Sequence, residues 1–173
     1  MSIFSDCLAF TLKEEGGFSN NPNDPGGATM CGVTLNVYRA WKNNQSLTPD
    51  DLKNISQQEL SDLYSQKYWV PSSCDKLPIG ISLSVFDMSV NAGVGRSIRL
   101  LQSSIGAISD GSIGPQTLSK VASFDATDVI NKLADQHTAF YKSLPAFKYF
   151  GKGWLSRVDS RKQAALDMVT SNV

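Results

Sequence analysis

Glu15 closes a row of residues, Phe4, Cys7, Leu8, Thr11 and Leu12, that recur at helical spacing. Glu14 lies about 100° further round the same helix and faces water. A carboxyl on the apolar stripe at a helix C-terminus is doubly disfavoured as an anion, by desolvation and by the negative end of the helix dipole. Those are the conditions under which a carboxylic acid keeps a proton to donate near neutrality. Gly16 and Gly17 follow directly and would let a substrate approach the backbone. The alternative is plainer: two ordinary late-helix glutamates with a glycine cap. Spacing alone leaves both open.

A second carboxyl, Asp24, precedes Pro25-Gly26, a pair that favours a type II turn and biases Asp24 to extended backbone. Such a turn could aim it back across a cleft at Glu15, or it could simply start the turn. Calcium binding by this Asn/Asp-rich loop lacks the alternating ligands and closing glutamate of an EF-hand. Other chemistries have less support. The single histidine, His137, sits on an apolar helix stripe and reads as a core residue. Cys7, Cys31 and Cys74 match no zinc spacing and have no histidine nearby, so neither a metal nor a cofactor is expected. Asp87 and Asn91 share a helix face, as a half-buried network or as cleft lining.

The elements that must carry these groups are mainly α-helical, with a small loop or β-hairpin insert after the first helix. A helix is expected over 3–15, ended by the two glycines. Residues 18–34 hold Pro22, Pro25 and four asparagine or aspartate turn formers, and so form the insert. Helices follow over 56–69, stopped by Pro71, and around Leu83–Val94. Others follow around Ile98–Ile105, after Gly114-Pro115, over 127–144 and over 159–170. The polar stretch 103–112 suggests a catalytic N-terminal half, 1–95, and a helical C-terminal half, 96–173, in one compact unit.

Composition narrows the partners. The chain has 173 residues, 41 % of them hydrophobic, enough for a core without staples, and a net charge of zero. Neutrality argues against nucleic acid. Lys148, Lys152, Arg157, Arg161 and Lys162 crowd the C-terminus and read as a solvated helix face. Three cysteines cannot all pair, which suits a reducing compartment. The first residues have no positive n-region, so no signal peptide is expected, and no apolar run reaches membrane-spanning length.

The segment Glu15-Gly-Gly-Phe, with Asn-Pro-Asn-Asp-Pro-Gly-Gly-Ala-Thr and Gly32-Val33-Thr34, resembles the signature of glycoside hydrolase family 108. That family comprises phage endolysins and secretion-associated N-acetylmuramidases. The likeness continues through Tyr68-Trp69, Val85-Phe86-Asp87, Asn91-Ala92-Gly93, Leu101-Gln102, Asp110 to Thr117, and Gly153-Trp154 with Arg157. The last part resembles the family's peptidoglycan-binding half. Phe18 stands where tyrosine is frequent, and Met30-Cys31 where Asn-Tyr is frequent. There is also a looser likeness to phage-type lysozymes, which place an aspartate nine residues after the glutamate and a threonine six later. Asp24 fits that spacing, whereas Thr29 comes one residue early.

The resemblance implies a lysozyme-like fold and cleavage of the β-1,4 bond between N-acetylmuramic acid and N-acetylglucosamine in bacterial peptidoglycan. Glu15, Asp24 and Thr29 would be catalytic; Phe18, Thr34, Tyr68, Asp87, Asn91 and Gln102 would contact substrate. It implies a monomeric endolysin, held in the host cytoplasm until a holin releases it to act in the periplasm and wall. Two readings compete: a non-catalytic wall-binding or secretion-accessory protein on the same fold, and a membrane-active carrier built on the basic C-terminal helix.

Overall fold

Helices dominate the computed structural model, which describes residues 2–20 and 27–171. The chain divides into two compact units, Met1–Ser65 and Gln66–Val173. Residues 95 and 96, where a boundary was expected, lie inside the second unit, within the helix Val94–Ser104.

In the first unit, α1 (Ile3–Glu15) matches its expected span. Ser2 and Ser5 form a reciprocal capping box at its start, and Gly16, at φ 75°, ends it in a conformation natural to glycine. Cys7, Leu8 and Thr11 are buried, and α1 packs on α4 (Gln57–Tyr64). Between them run β1 (Phe18–Ser19), β2 (Thr29–Met30), β3 (Val33–Thr34), α2 (Leu35–Lys42) and α3 (Pro49–Lys53). The strands form an antiparallel sheet in chain order, with Phe18 opposite Met30 and Met30 opposite Val33. Thr34 caps α2, Thr48 and Asp51 box the start of α3, and Ser56 and Glu59 box that of α4.

A single helix was expected over 56–69. Instead α4 stops at Tyr64, and the chain continues as one π-helical turn, Ser65–Trp69. In the second unit, α5 (Ile81–Ala92) is buried without interruption from Ile81 to Ser89. Such a helix is the centre of its unit. Around it pack α6 (Val94–Ser104), α8 (Ala126–Lys142) and α9 (Phe147–Thr170), while α7 (Pro115–Ala122) follows the Asp110–Gly114 loop. Gly80, just before α5, is obligatory. Its φ is 79°, and a Cβ there would lie 2.5 Å from the Ala165 carbonyl oxygen and 2.9 Å from the Ile130 and Val169 side chains. The last helix starts well before the expected 159. Gly151 and Gly153 dilute the pattern there, yet both lie inside the helix, and at Gly151 a Cβ would meet the Phe147 ring at 2.6 Å, which is why glycine stands there.

Candidate active site

Glu15 is the last residue of α1 and is half-buried. Opposite its carboxyl stands the two-residue turn joining β2 to β3. Cys31 (φ 48°) and Gly32 (φ 76°) both have positive φ, the signature of a type I′ hairpin. A Cβ built on Gly32 would lie 2.5 Å from Glu15 Oε2, 3.0 Å from its Cδ and 3.1 Å from the Tyr64 hydroxyl. Glycine is therefore required twice over, for the turn and for the room it leaves the carboxyl. The buried Tyr64 reaches from α4 and donates from its hydroxyl to the Cys31 carbonyl oxygen at 2.6 Å. The hairpin tip is thus tied to α4 directly over the end of α1.

Cys31 reports the same proximity. Burial first, and then the negative charge of Glu15, push its thiol above the ordinary range. A thiol shifted in that direction is a weaker nucleophile than an ordinary one.

The small sheet sorts the neighbouring candidates by face. Residues opposite one another in antiparallel strands share a face, so Ser19, Thr29 and Thr34 form one row and Phe18, Met30 and Val33 the other. Thr29 thus belongs to a hydroxyl row two residues before the glutamate-facing turn. Thr34 also caps α2, accepting from the Val37 amide at 3.2 Å. Its structural role was not foreseen. Phe18 is half-buried, with Lys53 Nζ 5.6 Å from its ring centroid. Asp24 lies outside the described residues.

The remaining candidates belong to the second unit, where two are tied up in its interior. Asp87 is fully buried and is the hub of an ion-pair network, not cleft lining. Arg157 grips it bidentately at 3.1 and 2.7 Å, and Arg161 donates to it at 2.7 Å. Burial alone would raise the Asp87 carboxyl, but Arg161 and Arg157 outweigh it and hold it below the usual range. Arg161 also donates to His137 Nδ1 at 2.7 Å. The expected solvated face of the basic C-terminal helix is therefore wrong for Arg157 and Arg161, which turn inward to Asp87. Asn91 is exposed, its amide donating to the Asp87 carbonyl at 2.7 Å.

Gln102 is likewise buried, with both ends of its amide engaged. It donates to Asp110 Oδ1 (2.7 Å), Ser112 O (2.9 Å) and Thr117 Oγ1 (3.2 Å), and accepts from the Gly111 amide. It holds the Asp110–Gly114 loop in shape. Tyr68 sits half-buried in the π turn. Among the described residues, no three His, Cys, Asp or Glu side chains are grouped so as to hold a metal ion. Sequence reasoning missed Tyr64 altogether. Its only sequence signal was a tyrosine on the buried stripe of α4.

A carboxyl ending the first helix under a tight hairpin, in a mainly helical lysozyme-like fold, sets the class: glycoside hydrolase. Comparison with known proteins agrees. The family model Glycosyl hydrolase 108 matches residues 8–93. The solved structure of Brucella abortus SagA superposes with a TM-score of 0.84 at 34 % identity, covering 95 % of this chain and 94 % of that one. No curated protein matches. The chain belongs to the glycosyl hydrolase 108 family, and is a hydrolase of muramidase-like, peptidoglycan-directed type.

Proposed function

We propose that the protein is an N-acetylmuramidase that cleaves the β-1,4 bond between N-acetylmuramic acid and N-acetylglucosamine, with Glu15 as general acid. The observation that carries this reading is the seating of the Glu15 carboxyl under the Cys31–Gly32 turn. Glu15 protonates the glycosidic oxygen as the bond to the anomeric carbon breaks. Asp24 positions and deprotonates the attacking water opposite the leaving group, and Thr29, from the hydroxyl row, helps to orient it. Holding the carboxyl against a pinned turn limits the geometries in which it can meet the oxygen.

The setting we propose is a phage or prophage lysis system. The protein is a monomer that waits in the host cytoplasm until a holin opens the inner membrane, then acts on the wall. Glu15→Gln tests the catalytic assignment, because the amide is nearly isosteric but has no proton to give. Clearing of permeabilised Gram-negative cells should fall at least about a hundredfold, with fold and wall binding intact, and Glu14→Gln should be near neutral. More than a tenth of wild-type clearing by a folded Glu15→Gln protein would favour the non-catalytic reading.

A further inference from the structure

We propose that the corner between α8 and α9 is a docking surface for an anionic lipid membrane. The chain as a whole is neutral, yet residues 136–158 contain no aspartate or glutamate and carry Lys142, Lys148, Lys152 and Arg157. Arg157 is used internally on Asp87. The three lysines are exposed and, among the described residues, make no salt bridge. Beside them stand two of the most exposed large apolar side chains of the molecule, Tyr149 at 73 % and Phe150 at 59 %.

One of the two rings is linked to the core. Phe150 lies 5.8 Å from Trp154, which stacks on the buried Tyr141 at 5.2 Å. Lys148 Nζ rests 4.8 Å from the Tyr149 ring centroid, so a cation and an exposed ring stand together at the corner. Further along α9, Val158, Arg161 and Ala165 are buried, so the corner is presented by an anchored helix.

Aromatic rings flanked by unpaired lysines match the chemistry of a membrane interface, where rings enter among the headgroups and ammonium groups meet lipid phosphates. A saccharide platform fits less well. The Tyr149 and Phe150 rings are inclined by 65° and offer no shared flat face to a sugar. Among the described residues no helix is long and apolar enough to cross a membrane, and the contact proposed is a peripheral one. It would keep an enzyme with a wall substrate close to the membrane that borders the wall, and it does not depend on Glu15 being the acid.

Co-sedimentation of the full chain with vesicles tests this. The wild-type protein should bind vesicles of phosphatidylethanolamine with phosphatidylglycerol, bind phosphatidylcholine vesicles far less, and lose binding as salt rises. The double variants Lys148→Gln/Lys152→Gln and Tyr149→Ser/Phe150→Ser alter exposed side chains only. Each should weaken binding at least about tenfold while cleaving purified, lipid-free sacculi at the wild-type rate. Glu15→Gln should bind vesicles as the wild type does, which separates this surface from the catalytic assignment. Equal or absent binding of the wild-type protein to the two lipid compositions would overturn the proposal. So would wild-type vesicle binding by both variants, or a loss of sacculus binding in them, which would make the corner a glycan surface.

Discussion

The seat of the Glu15 carboxyl is shaped by two neighbours, Gly32 and Tyr64. Gly32 supplies an absence of side chain, and Tyr64 a hydroxyl that anchors the turn above the carboxyl. Gly32→Ala should therefore cut wall lysis by at least about tenfold. The methyl would displace the Glu15 carboxyl, and a non-glycine residue at positive φ is disfavoured by about 1–2 kcal/mol. Circular dichroism with a lysis assay separates the two effects: an active, wild-type-like Gly32→Ala would show that the turn does not position Glu15. Tyr64→Phe leaves the ring packed but orphans the Cys31 carbonyl, and should lower stability by about 1–3 kcal/mol in denaturant titration. The stereochemical outcome also belongs to single residues. In the sequence Asp24 precedes Pro25 and follows two glycines after Glu15, a spacing that predicts a carboxyl separation of roughly 6.5–9.5 Å and an attacking water, hence inversion. Asp24→Ala should then abolish most activity and Thr29→Ala less. Proton NMR of the first-formed reducing sugar decides it, since a β-anomer would make Asp24 a nucleophile.

At the scale of elements, the Asp87 network joins three helices: Asp87 on α5, Arg157 and Arg161 on α9, His137 on α8. Removing one partner leaves buried charge uncompensated, so Asp87→Ala should destabilise the second unit by about 3–5 kcal/mol. A variant with unchanged stability and a raised KM would return Asp87 to substrate binding. The network also sets an acid limit. Two guanidinium groups face one carboxylate, with Tyr141 alongside, and burial followed by the charge of Arg161 pushes His137 well below its ordinary 6.5. With Nδ1 accepting from Arg161, the proton sits on Nε2, which has no partner among the described residues. Because the folded state resists protonation, the unfolded state takes up the extra proton as pH falls below about 6.5. Stability is thus complete above that value and falls through the acid range below it. Melting temperature should drop between pH 7 and 5, and His137→Gln should flatten the drop. A wild-type melting temperature independent of pH across that interval would contradict this account.

The whole molecule raises the question of access to the wall. Expressed alone in an intact Gram-negative cell, the protein should remain in the cytoplasm and do no harm. Lysis should follow only when a holin or a permeabilising agent breaches the inner membrane. Export of the bare chain, or lysis of intact cells without such help, would reject the proposed release route. The lipid-docking corner does not alter this expectation, since a peripheral surface carries nothing across a bilayer.

Local rules were enough to read much of this protein from its sequence. Helical spacing and glycine punctuation placed α1 and put Glu15 on its inner face at the helix end, because those signals act within a few residues. The Asn/Pro/Gly-rich insert and the family signature likewise lie in contiguous stretches. What tertiary structure decided depends on residues far apart in the chain. Thr34 turned out to cap a helix, and Gln102 to shape a loop. Asp87 and Arg161, 74 residues apart, became one buried ion pair, and Tyr64 met the Cys31 carbonyl 33 residues away. A polar side chain on a helix face reads alike whether water, substrate or a distant arginine awaits it. Only packing chooses among them, since burying the group is tolerable only where a partner is supplied.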